Sequence, residues 1–567
     1  MSAHHQLSEL IKAAVNAARS AGELSVSAPE TISLERPKNR EHGDYATSIA
    51  LVLAKSAGKP PREIAQLIVE KLRGDSAIEK LEIAGPGFIN ITLARASQGA
   101  VVHAILKHAM NYGLSTSLAG VRINLEFISA NPTGPLHLGH TRWAAVGDAL
   151  GRVLSAAGAH VTREFYINDR GVQMDLFGES IRAAALGIAR PEEGYQGGYI
   201  DELAVEIQRA HPEFLTLDTE ESIAAFREAG YALQLHQQQD VLAKFGTHFD
   251  VWFSERSLHG IDPKNTKDKR DNGQSDAITH ALNQLRSQGH VFESEGATWL
   301  RTTDFGDDKD RVLIKSDGEL TYFASDTAYY VSKRDRGFDI CIYMLGADHH
   351  GYIGRLKALA ACAGDNPEYN IEILVGQLVK IMEAGEEVKL SKRAGTIVTL
   401  EDLIDKVGVD AARYTLIRYP VNTPMVMDID LLKKRTNDNP VYYVQYAHAR
   451  IAAVLRNAGE YGISYGVEHF TPELLTHDRE RELMGALAEF PMIVDSAATM
   501  REPHRIARYI EELAGLFHGF YSDCRVLPMG EEKPSALHAS RATLAEATRQ
   551  VIYNGLHLLG VHAPDRM

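Results

Sequence analysis

The segment from residue 121 to residue 167 constrains the fold more than any other part of the chain. Apolar and polar residues alternate over residues 121–128, which predicts a strand, and a turn rich in Pro and Gly follows. The pattern then predicts a helix over residues 138–157 and a second strand over residues 161–167. A strand, a tight turn, a helix and a strand form a βαβ unit. This unit predicts a parallel sheet with its ligands at the carboxyl ends of the strands.

The pattern of apolar and polar residues divides the chain into three blocks. Residues 1–118 predict a small α/β domain that opens with an amphipathic helix, and residues 119–410 alternate strands and helices. Within this second block we expect an insertion over about residues 178–300, which is strongly helical and acidic at its start. Residues 411–567 predict an all-helical domain. The expected fold class is therefore multidomain α/β, with the parallel-sheet domain in the middle.

Composition excludes several classes of protein. The chain has 567 residues, of which 44% are hydrophobic and 24% charged, as in ordinary folded proteins. Its apolar runs are too short to cross a membrane, so we expect no membrane span. The cysteines Cys341, Cys362 and Cys524 are scattered and form no C-x-x-C pair. We therefore expect neither a zinc site nor disulfides, and a cytoplasmic location.

The net charge is distributed unevenly along the chain. The formal total is −15, but residues 1–120 carry +2 and residues 411–567 carry −2, so the middle block carries all of the excess. Residues 175–228 alone hold 4 basic and 12 acidic side chains. An acidic total argues against a protein that coats polyanions. It does not exclude selective docking of a nucleic acid through local basic surfaces.

The turn after the first strand of the βαβ unit carries two histidines around a glycine. His137 and His140 lie three residues apart, so they share one face of the first helical turn. The helix N-terminus offers free N–H groups to an anion, and each imidazole can donate a further hydrogen bond. Gly139 has no side chain, so a flat base or ribose can approach its backbone. We interpret this turn as a nucleotide-phosphate site.

A second loop carries two lysines that are also three residues apart. Lys389 and Lys392 lie in the sequence VKLSKRAGT over residues 388–396. Lys389 is 252 positions after His137. Their ammonium groups can neutralise the charge that builds on a departing pyrophosphate, which stabilises a transition state rather than a bound substrate.

Together these two loops resemble the two signature motifs of class I aminoacyl-tRNA synthetases, and the wider chain resembles the arginyl-tRNA synthetase family. The resemblance covers nearly the whole chain and includes family-like stretches at both ends. It rests on residues 37–46, 166–169 with Gln173, 249–254, 321–326, 346–352, 445–451, 517–521 with 524–527, and 559–567. It implies a Rossmann-type catalytic domain, a small N-terminal domain that contacts tRNA, and a helical anticodon-binding domain.

The resemblance also implies the reaction and its residues. The enzyme would activate L-arginine with ATP to arginyl-adenylate and then charge the arginine tRNA. Its catalytic residues would be His137, His140, Lys389 and Lys392. ATP would contact Asn131, Pro132, Thr133, Gly134, Pro135, Leu136, His137, Leu138, Gly139, His140, Asp348, His350 and Lys392. Arginine would contact Glu126, Ser129, Asn131, Tyr322 and Asp326, because carboxylates suit the planar guanidinium.

The partners follow in the same way. On a helix near residue 440, aromatic and basic side chains suit unpaired anticodon bases, and the tRNA-binding residues would be Tyr442, Tyr446, His448 and Arg450. Mg²⁺ would arrive with ATP, held mostly by phosphates and water, and no metal ligands are expected from the protein. The family is expected to be monomeric and to need tRNA before it activates arginine.

Three alternatives stay open at this point. A shorter adenylyl-transferring enzyme can share the first motif, but it would lack the helical C-terminal block. A non-catalytic tRNA-binding relative would be expected to have lost His137, His140, Lys389 or Lys392, and all four are present. A class I synthetase for another amino acid would share the motifs, although the acidic stretch around Asp326 favours arginine.

Overall fold

The computed structural model describes residues 3–37, 39–259, 277–347, 351–388 and 398–567. The N-terminal part is a three-stranded antiparallel sheet in the order β1-β3-β2, packed against helices. Its elements are α1 (Ala3–Ser20), β1 (Tyr45–Thr47), α2 (Ile49–Ala57), α3 (Pro61–Leu72), β2 (Ile78–Ala84) and β3 (Phe88–Leu93). Pro61 occupies the first helical turn, where its missing N–H costs no hydrogen bond.

The middle of the chain is built on one five-stranded parallel sheet. Helix α4 (Arg95–His108) leads into it. The elements that follow are β4 (Arg122–Glu126), α5 (Leu138–Ala156), β5 (His160–Ile167), α6 (Val172–Leu186), α7 (Tyr199–Ala210), α8 (Thr219–Lys244), β6 (Val251–Ser254), α9 (Ala277–Ser287), β7 (Val291–Ser294), β8 (Ala297–Leu300), β9 (Arg311–Ile314), α10 (Tyr322–Asp335), β10 (Ile340–Gly346), α11 (Tyr352–Cys362) and β11 (Ile371–Gly376).

The strand order places the binding crevice. The sheet runs β11-β10-β4-β5-β6, and every neighbouring pair is parallel. The chain moves outward from β4 in one direction and then returns to β10 on the other side, so the order reverses between β4 and β10. In a doubly wound sheet, the ligand lies at the carboxyl ends of the strands at this point of reversal. The parallel sheet predicted from the βαβ pattern is confirmed.

A second, three-stranded sheet lies outside the central one. Strand β9 pairs antiparallel with β8, and β7 completes this sheet. The helices α6, α7 and α8 form the start of the insertion and have their own small apolar core around Phe177 and Phe226. Both units branch from the carboxyl side of the central sheet.

The last part of the chain is mostly helical and includes a three-stranded sheet. The elements are β12 (Val379–Glu383), β13 (Glu386–Glu387), α12 (Leu400–Val407), α13 (Val409–Ile417), β14 (Met425–Asp428), α14 (Ile429–Leu432), α15 (Pro440–Glu460), α16 (Asp478–Thr499), α17 (His504–Asp523) and α18 (Ala536–Leu558). The sheet has the order β13-β12-β14. The prediction of helices alone after residue 411 misses β14, which pairs in parallel with β12. Asn439 precedes α15, but its side chain bonds the carbonyls of Leu432 and Lys434 rather than the helix N-terminus.

The C-terminal helices share one continuous apolar core with the α5 side of the central sheet. A buried ion pair crosses this junction, because Arg413 on α13 places Nη2 2.6 Å from Oδ2 of Asp148 on α5. The same guanidinium donates to the carbonyls of Phe245 and Leu559. The helical domain is therefore joined to the sheet by packing and by directional polar contacts.

Candidate active site

The loop that leaves β4 begins with two strained residues. Ile128 has φ of 70° and Ser129 has φ of 46°, a region that residues with a side chain rarely occupy. Ser129 Oγ donates to Oε1 of Glu126 over 2.9 Å and accepts from the Tyr166 N–H at 3.2 Å. Such strain persists only where surrounding bonds hold it, and it is common at ligand sites. This turn therefore fixes Glu126 and redirects the chain toward α5.

The two histidines form the N-terminal cap of α5. Nδ1 of His137 accepts from the Gly139 N–H at 3.1 Å, and Nδ1 of His140 accepts from the His137 N–H at 3.3 Å. The two rings stack with their centroids 3.9 Å apart. An accepting Nδ1 carries no proton, so in the neutral rings Nε2 carries the hydrogen and is the donor. The capping contacts therefore prepare both rings to donate to an anion.

The rest of the first motif lies on the same loop. The structure brings together, between β4 and the first turn of α5, every residue expected there to contact nucleotide: Asn131, Pro132, Thr133, Gly134, Pro135, Leu136, His137, Leu138, Gly139 and His140. This loop follows the strand next to the point of reversal in the sheet. The first N–H groups of α5 already have acceptors within the protein, since Gly139 N donates to His137 Nδ1 and His140 N to the His137 carbonyl. The position of the loop, the dipole of α5 and the two imidazole rings are therefore what suit a phosphate chain.

Backbone hydrogen bonds join this loop to the chain segment that ends the second motif. Leu138 N donates to the Val398 carbonyl over 3.3 Å, and Leu400 N donates to the Leu136 carbonyl over 2.8 Å. His137 and Thr399 thereby form an isolated antiparallel bridge. Lys389 and Lys392 lie outside the described residues, as do Asp348 and His350. The bridge nevertheless fixes the point at which the second loop returns to the first.

Three carboxylates converge beside the carboxyl ends of β4, β5 and β6. They are Glu126 at the end of β4, Glu255 just after β6, and Asp326 on the first turns of α10. Desolvation, with the charges of Glu255 and Glu126, raises the pKa of Asp326 to about 7, and Arg355 opposes the shift. The Tyr166 hydroxyl donates to Glu255, and its own pKa is raised mainly by burial. Such a cluster stabilises a bound cation.

A buried lysine partly neutralises this cluster. Lys333 on α10 is fully buried, and its Nζ lies 2.6 Å from Oε2 of Glu126. The same ammonium lies over the rings of Tyr343 and Tyr329, at 3.7 and 4.2 Å from their centroids. Both oxygens of Glu126 are therefore already engaged, since Ser129 holds the other. The pocket presents Asp326 and Glu255 as its remaining acidic groups.

The other residues expected to bind arginine take different positions. Tyr322 begins α10 one turn before Asp326, and the residue is 77% exposed, so it is not buried with the carboxylates. Asn131 is exposed on the loop, and its amide donates to Oε1 of Gln173 over 2.7 Å. Glu255 and Lys333 were missed by sequence reasoning. Glu255 directly follows the family-like stretch 249–254, which was the available signal.

The helical domain carries a surface of aromatic and basic side chains. The rings of Tyr442 and Tyr446 on α15 stack with centroids 6.0 Å apart, and the Arg450 guanidinium lies 4.5 Å from the ring centroid of Tyr521 on α17. His448 was expected on this surface, but it is only 1% exposed. Its Nδ1 donates to the Pro564 carbonyl over 2.8 Å. His448 therefore packs the chain's last residues, and the structure does not place it with the other three.

The described ranges contain neither a clustered metal site nor a helix that could span a membrane. Between residues 3 and 567, apart from the gaps given above, no group of three or more His, Cys, Asp or Glu side chains is arranged to hold a metal ion. Within those ranges, no helix combines the length and apolarity that crossing a membrane requires. The three cysteines are buried and unpaired.

Comparison with known proteins gives matches over the full length. Family models match as "Arginyl tRNA synthetase N terminal domain" over residues 5–93, "tRNA synthetases class I (R), catalytic domain" over residues 101–450, and "DALR anticodon binding domain" over residues 444–567. The chain is 51% identical to an arginine–tRNA ligase of Frankia alni over 561 residues and 52% identical to one of Paenarthrobacter aurescens over 565 residues. Each match covers 99% of both chains.

Solved structures show the same architecture. The arginyl-tRNA synthetase of Thermus thermophilus superposes with a TM-score of 0.74 at 22% identity, over 100% of both chains. That of Plasmodium falciparum superposes with a TM-score of 0.72 at 16% identity, over 100% of this chain and 99% of the other. At these identities the superpositions establish the fold, including the order of its three parts.

Proposed function

The chain belongs to the arginyl-tRNA synthetase family and charges arginine tRNA with arginine, and we propose that it does so at the crevice between β4 and β10. The observation that carries the assignment is the convergence of Glu126, Glu255 and Asp326 beside a histidine-capped helix. The carboxylates suit a guanidinium, and the helix N-terminus suits phosphates. The two substrates would thus meet at the carboxyl edge of one sheet.

The chemistry needs positioning and charge stabilisation. In the first step, an oxygen of the arginine carboxylate attacks the α-phosphorus of ATP, the bond to the β-phosphate bridging oxygen breaks, and pyrophosphate leaves with its electron pair. His137 and His140 would donate from Nε2 to the phosphates. Lys389 and Lys392 would neutralise the departing pyrophosphate. The terminal ribose hydroxyl of the tRNA then attacks the adenylate carbonyl and releases AMP.

The nucleotide contacts complete this assignment. The loop from Asn131 to His140 would follow the phosphates, and Asp348 and His350 would lie near the ribose or the adenine edge, because they follow β10 on the other side of the reversal point. We propose that Mg²⁺ is part of the ATP substrate and is held by phosphate oxygens and water.

The arginine pocket would discriminate by charge and shape. Asp326 and Glu255 would accept from the guanidinium, Glu126 would be held in place by Lys333 and Ser129, and Tyr322 would close the rim. Lysine lacks the planar fork of arginine, so in the same pocket it would leave buried acceptors unpaired. Polar mismatch of this kind discriminates strongly without an editing site.

The tRNA would be held at both ends of the chain. Tyr442, Tyr446 and Arg450 form the aromatic and basic surface on which we propose that anticodon bases stack. Residues 1–118 would contact another part of the tRNA, residues 119–410 would form the catalytic domain and residues 411–567 the anticodon-binding domain. We further propose a monomer in the cytoplasm, where a reducing environment suits three buried thiols.

Exchange of pyrophosphate into ATP tests the substrate assignment. The measurement uses each of the twenty amino acids in turn, with and without total tRNA. We expect exchange with arginine alone among the amino acids, and stronger exchange when tRNA is present. Asp326→Asn should raise the KM for arginine with little effect on the KM for ATP, whereas His140→Ala should do the reverse. Exchange with another amino acid, but not arginine, would contradict the assignment.

A further inference from the structure

The insertion contacts the first-motif loop directly. Gln238 lies on α8, is 1% exposed, and donates from Nε2 to two carbonyl oxygens of that loop. The acceptors are the carbonyls of Gly134, at 2.7 Å, and Asn131, at 3.1 Å. One side chain of the insertion thus fixes both ends of the stretch formed by residues 131–134.

A second side chain of the insertion fixes the same stretch. The Tyr199 hydroxyl, on α7, donates to the Thr133 carbonyl over 2.9 Å. Its ring also covers Gly134, because a Cβ built there would lie 3.2 Å from the hydroxyl oxygen and 3.5 Å from the adjacent ring carbon. The glycine therefore permits the close approach that the hydrogen bond requires.

These contacts supply bonds that the loop itself cannot make. Pro132 and Pro135 have no N–H, and among the residues that the structure describes the stretch pairs with no strand, so no ladder there satisfies its carbonyls. Buried carbonyls without a partner are costly, and donors from a separate element fix the loop as well as satisfying it. The loop runs directly into His137, so its position sets where the cap of α5 begins.

Helix α8 also reaches the segment that ends the second motif. Lys244 is the last residue of α8. Its Nζ lies 3.3 Å from Oε1 of Glu401 and 3.3 Å from Oδ1 of Asp405, both on α12. Helix α12 follows the Thr399 bridge directly. One helix of the insertion therefore contacts the elements that carry both motif loops, although these surface ion pairs contribute little energy.

We propose that Gln238 and Tyr199 are positioning residues for ATP, and that α7 and α8 of the insertion hold the first-motif loop in its phosphate-binding shape. The inference rests on the proposed assignment of that loop to ATP. Neither side chain needs to touch the nucleotide. Their effect passes through the carbonyls of residues 131, 133 and 134 to the backbone that presents His137 and His140.

The test compares isosteric variants on the full-length enzyme. Gln238→Glu keeps the size of the side chain and removes both N–H donors, and Gln237→Glu on the exposed face of the same helix is its control for added charge. Tyr199→Phe removes only the hydroxyl, and Tyr369→Phe, at an exposed tyrosine, is its control. The measurement is arginine-dependent pyrophosphate exchange with tRNA present, with KM determined for ATP and for arginine, and Tm from thermal unfolding.

We expect Gln238→Glu to lower kcat/KM for ATP at least tenfold and Tyr199→Phe to lower it about threefold to tenfold. The KM for arginine should stay within twofold, and both control variants should match the unmodified enzyme. A lower Tm with unchanged kcat/KM for ATP would overturn the proposal, since a structural role alone predicts that result. If Gln238→Glu fails to fold, Tyr199→Phe decides the question.

One further variant separates this proposal from the one on which it rests. His140→Ala should impair use of ATP if the loop binds ATP at all. If His140→Ala is impaired and the two insertion variants are normal, only the positioning role is overturned. If His140→Ala is also normal, the assignment of the loop to ATP fails.

Discussion

Lys333 holds its ammonium nitrogen 2.6 Å from Oε2 of Glu126 at the carboxyl end of the central strand. The lysine is fully buried, and the glutamate is 8% exposed. Breaking such a pair from one side leaves a buried charge without compensation, which costs about 3–5 kcal/mol. The pair therefore ties the folding of α10 to the geometry of the carboxylate cluster.

Replacing this lysine should affect both stability and arginine use. We expect Lys333→Met to lower the free energy of unfolding by about 3–5 kcal/mol. The KM for arginine should rise, because Glu126 loses the partner that orients it. Urea unfolding and pyrophosphate exchange measure the two effects. Lys315→Met, at an exposed lysine, should change stability by less than about 0.5 kcal/mol; equal stability of the two variants would contradict the role given to the buried pair.

Arginine affinity should depend on pH around neutrality. The pKa of Asp326 is raised to about 7 in the free protein, mainly by desolvation and then by Glu255 and Glu126. A bound guanidinium favours the ionised form, so binding releases a proton and affinity rises with pH through 7. The Kd for arginine should be about tenfold higher at pH 6 than at pH 8. Titration calorimetry in buffers of different ionisation enthalpy measures the Kd and the released proton.

A variant assigns this pH dependence to one residue. Asp326→Asn keeps the shape of the side chain and removes the titration, so its Kd should be higher at pH 8 and nearly constant between pH 6 and pH 8. A pH dependence that persists in Asp326→Asn would place the titrating group elsewhere in the cluster.

The second motif should act in the chemical step. We expect Lys392→Ala to slow formation of arginyl-adenylate by at least a hundredfold and to leave tRNA affinity nearly unchanged, because the lysine meets charge that develops on pyrophosphate. Rapid-quench measurement of adenylate and filter binding of tRNA separate the two effects. Lys433→Ala, at an exposed lysine outside both motifs, is the control. An unchanged rate of adenylate formation would remove the assignment.

The junction between the sheet and the helical domain should depend on one arginine. Arg413→Met leaves Asp148 buried with Arg152 as its one remaining side-chain partner in the described part of the chain, and removes donors to the carbonyls of Phe245 and Leu559. We expect a loss of about 3–5 kcal/mol in the free energy of unfolding. Arg435→Met, at an exposed arginine, should have a small effect.

The pKa of Asp148 determines how its contribution to stability depends on pH. Burial alone would raise its pKa, but Arg413 and Arg152 lower it overall. A lowered acid pKa stabilises the fold above the pKa of the unfolded chain, and this stabilisation is lost as pH falls through the lower, folded pKa. The contribution of the Asp148 carboxylate to the stability of the unmodified protein should therefore be constant from pH 6 to pH 8. Chemical unfolding at both pH values checks this expectation.

Patterns in the sequence predicted the structural features that depend on residues close together along the chain. The βαβ unit and the helical insertion are both local, and local periodicity and turn chemistry specify them. The pairing of β14 with β12 and the separate sheet of β7, β8 and β9 depend on contacts between distant residues, for which a single sequence carries no local signal. Glu255 and Lys333 were not predicted for the same reason, because only the order of the strands in the sheet brings them into one cluster.

The burial of His448 could have been found from the sequence. His448 lies on the helical stripe formed by Val444, Ile451 and Leu455, which is the core-facing stripe of α15. Aromatic and basic residues near the start of that helix suggested an RNA surface for the whole group. Periodicity separates Tyr442, Tyr446 and Arg450 from His448, because the former lie off this stripe.

The bridge between His137 and Thr399 joins the start and the end of the chain segment that lies between them. The stretch from Gly139 to Val398 has its two ends joined by backbone hydrogen bonds, and it contains four of the five strands of the central sheet as well as the insertion and the second small sheet. Lengthening a surface loop within a closed stretch costs little conformational entropy. Residues added to the loops of the insertion should therefore leave the contact between Leu136 and Leu400 unchanged.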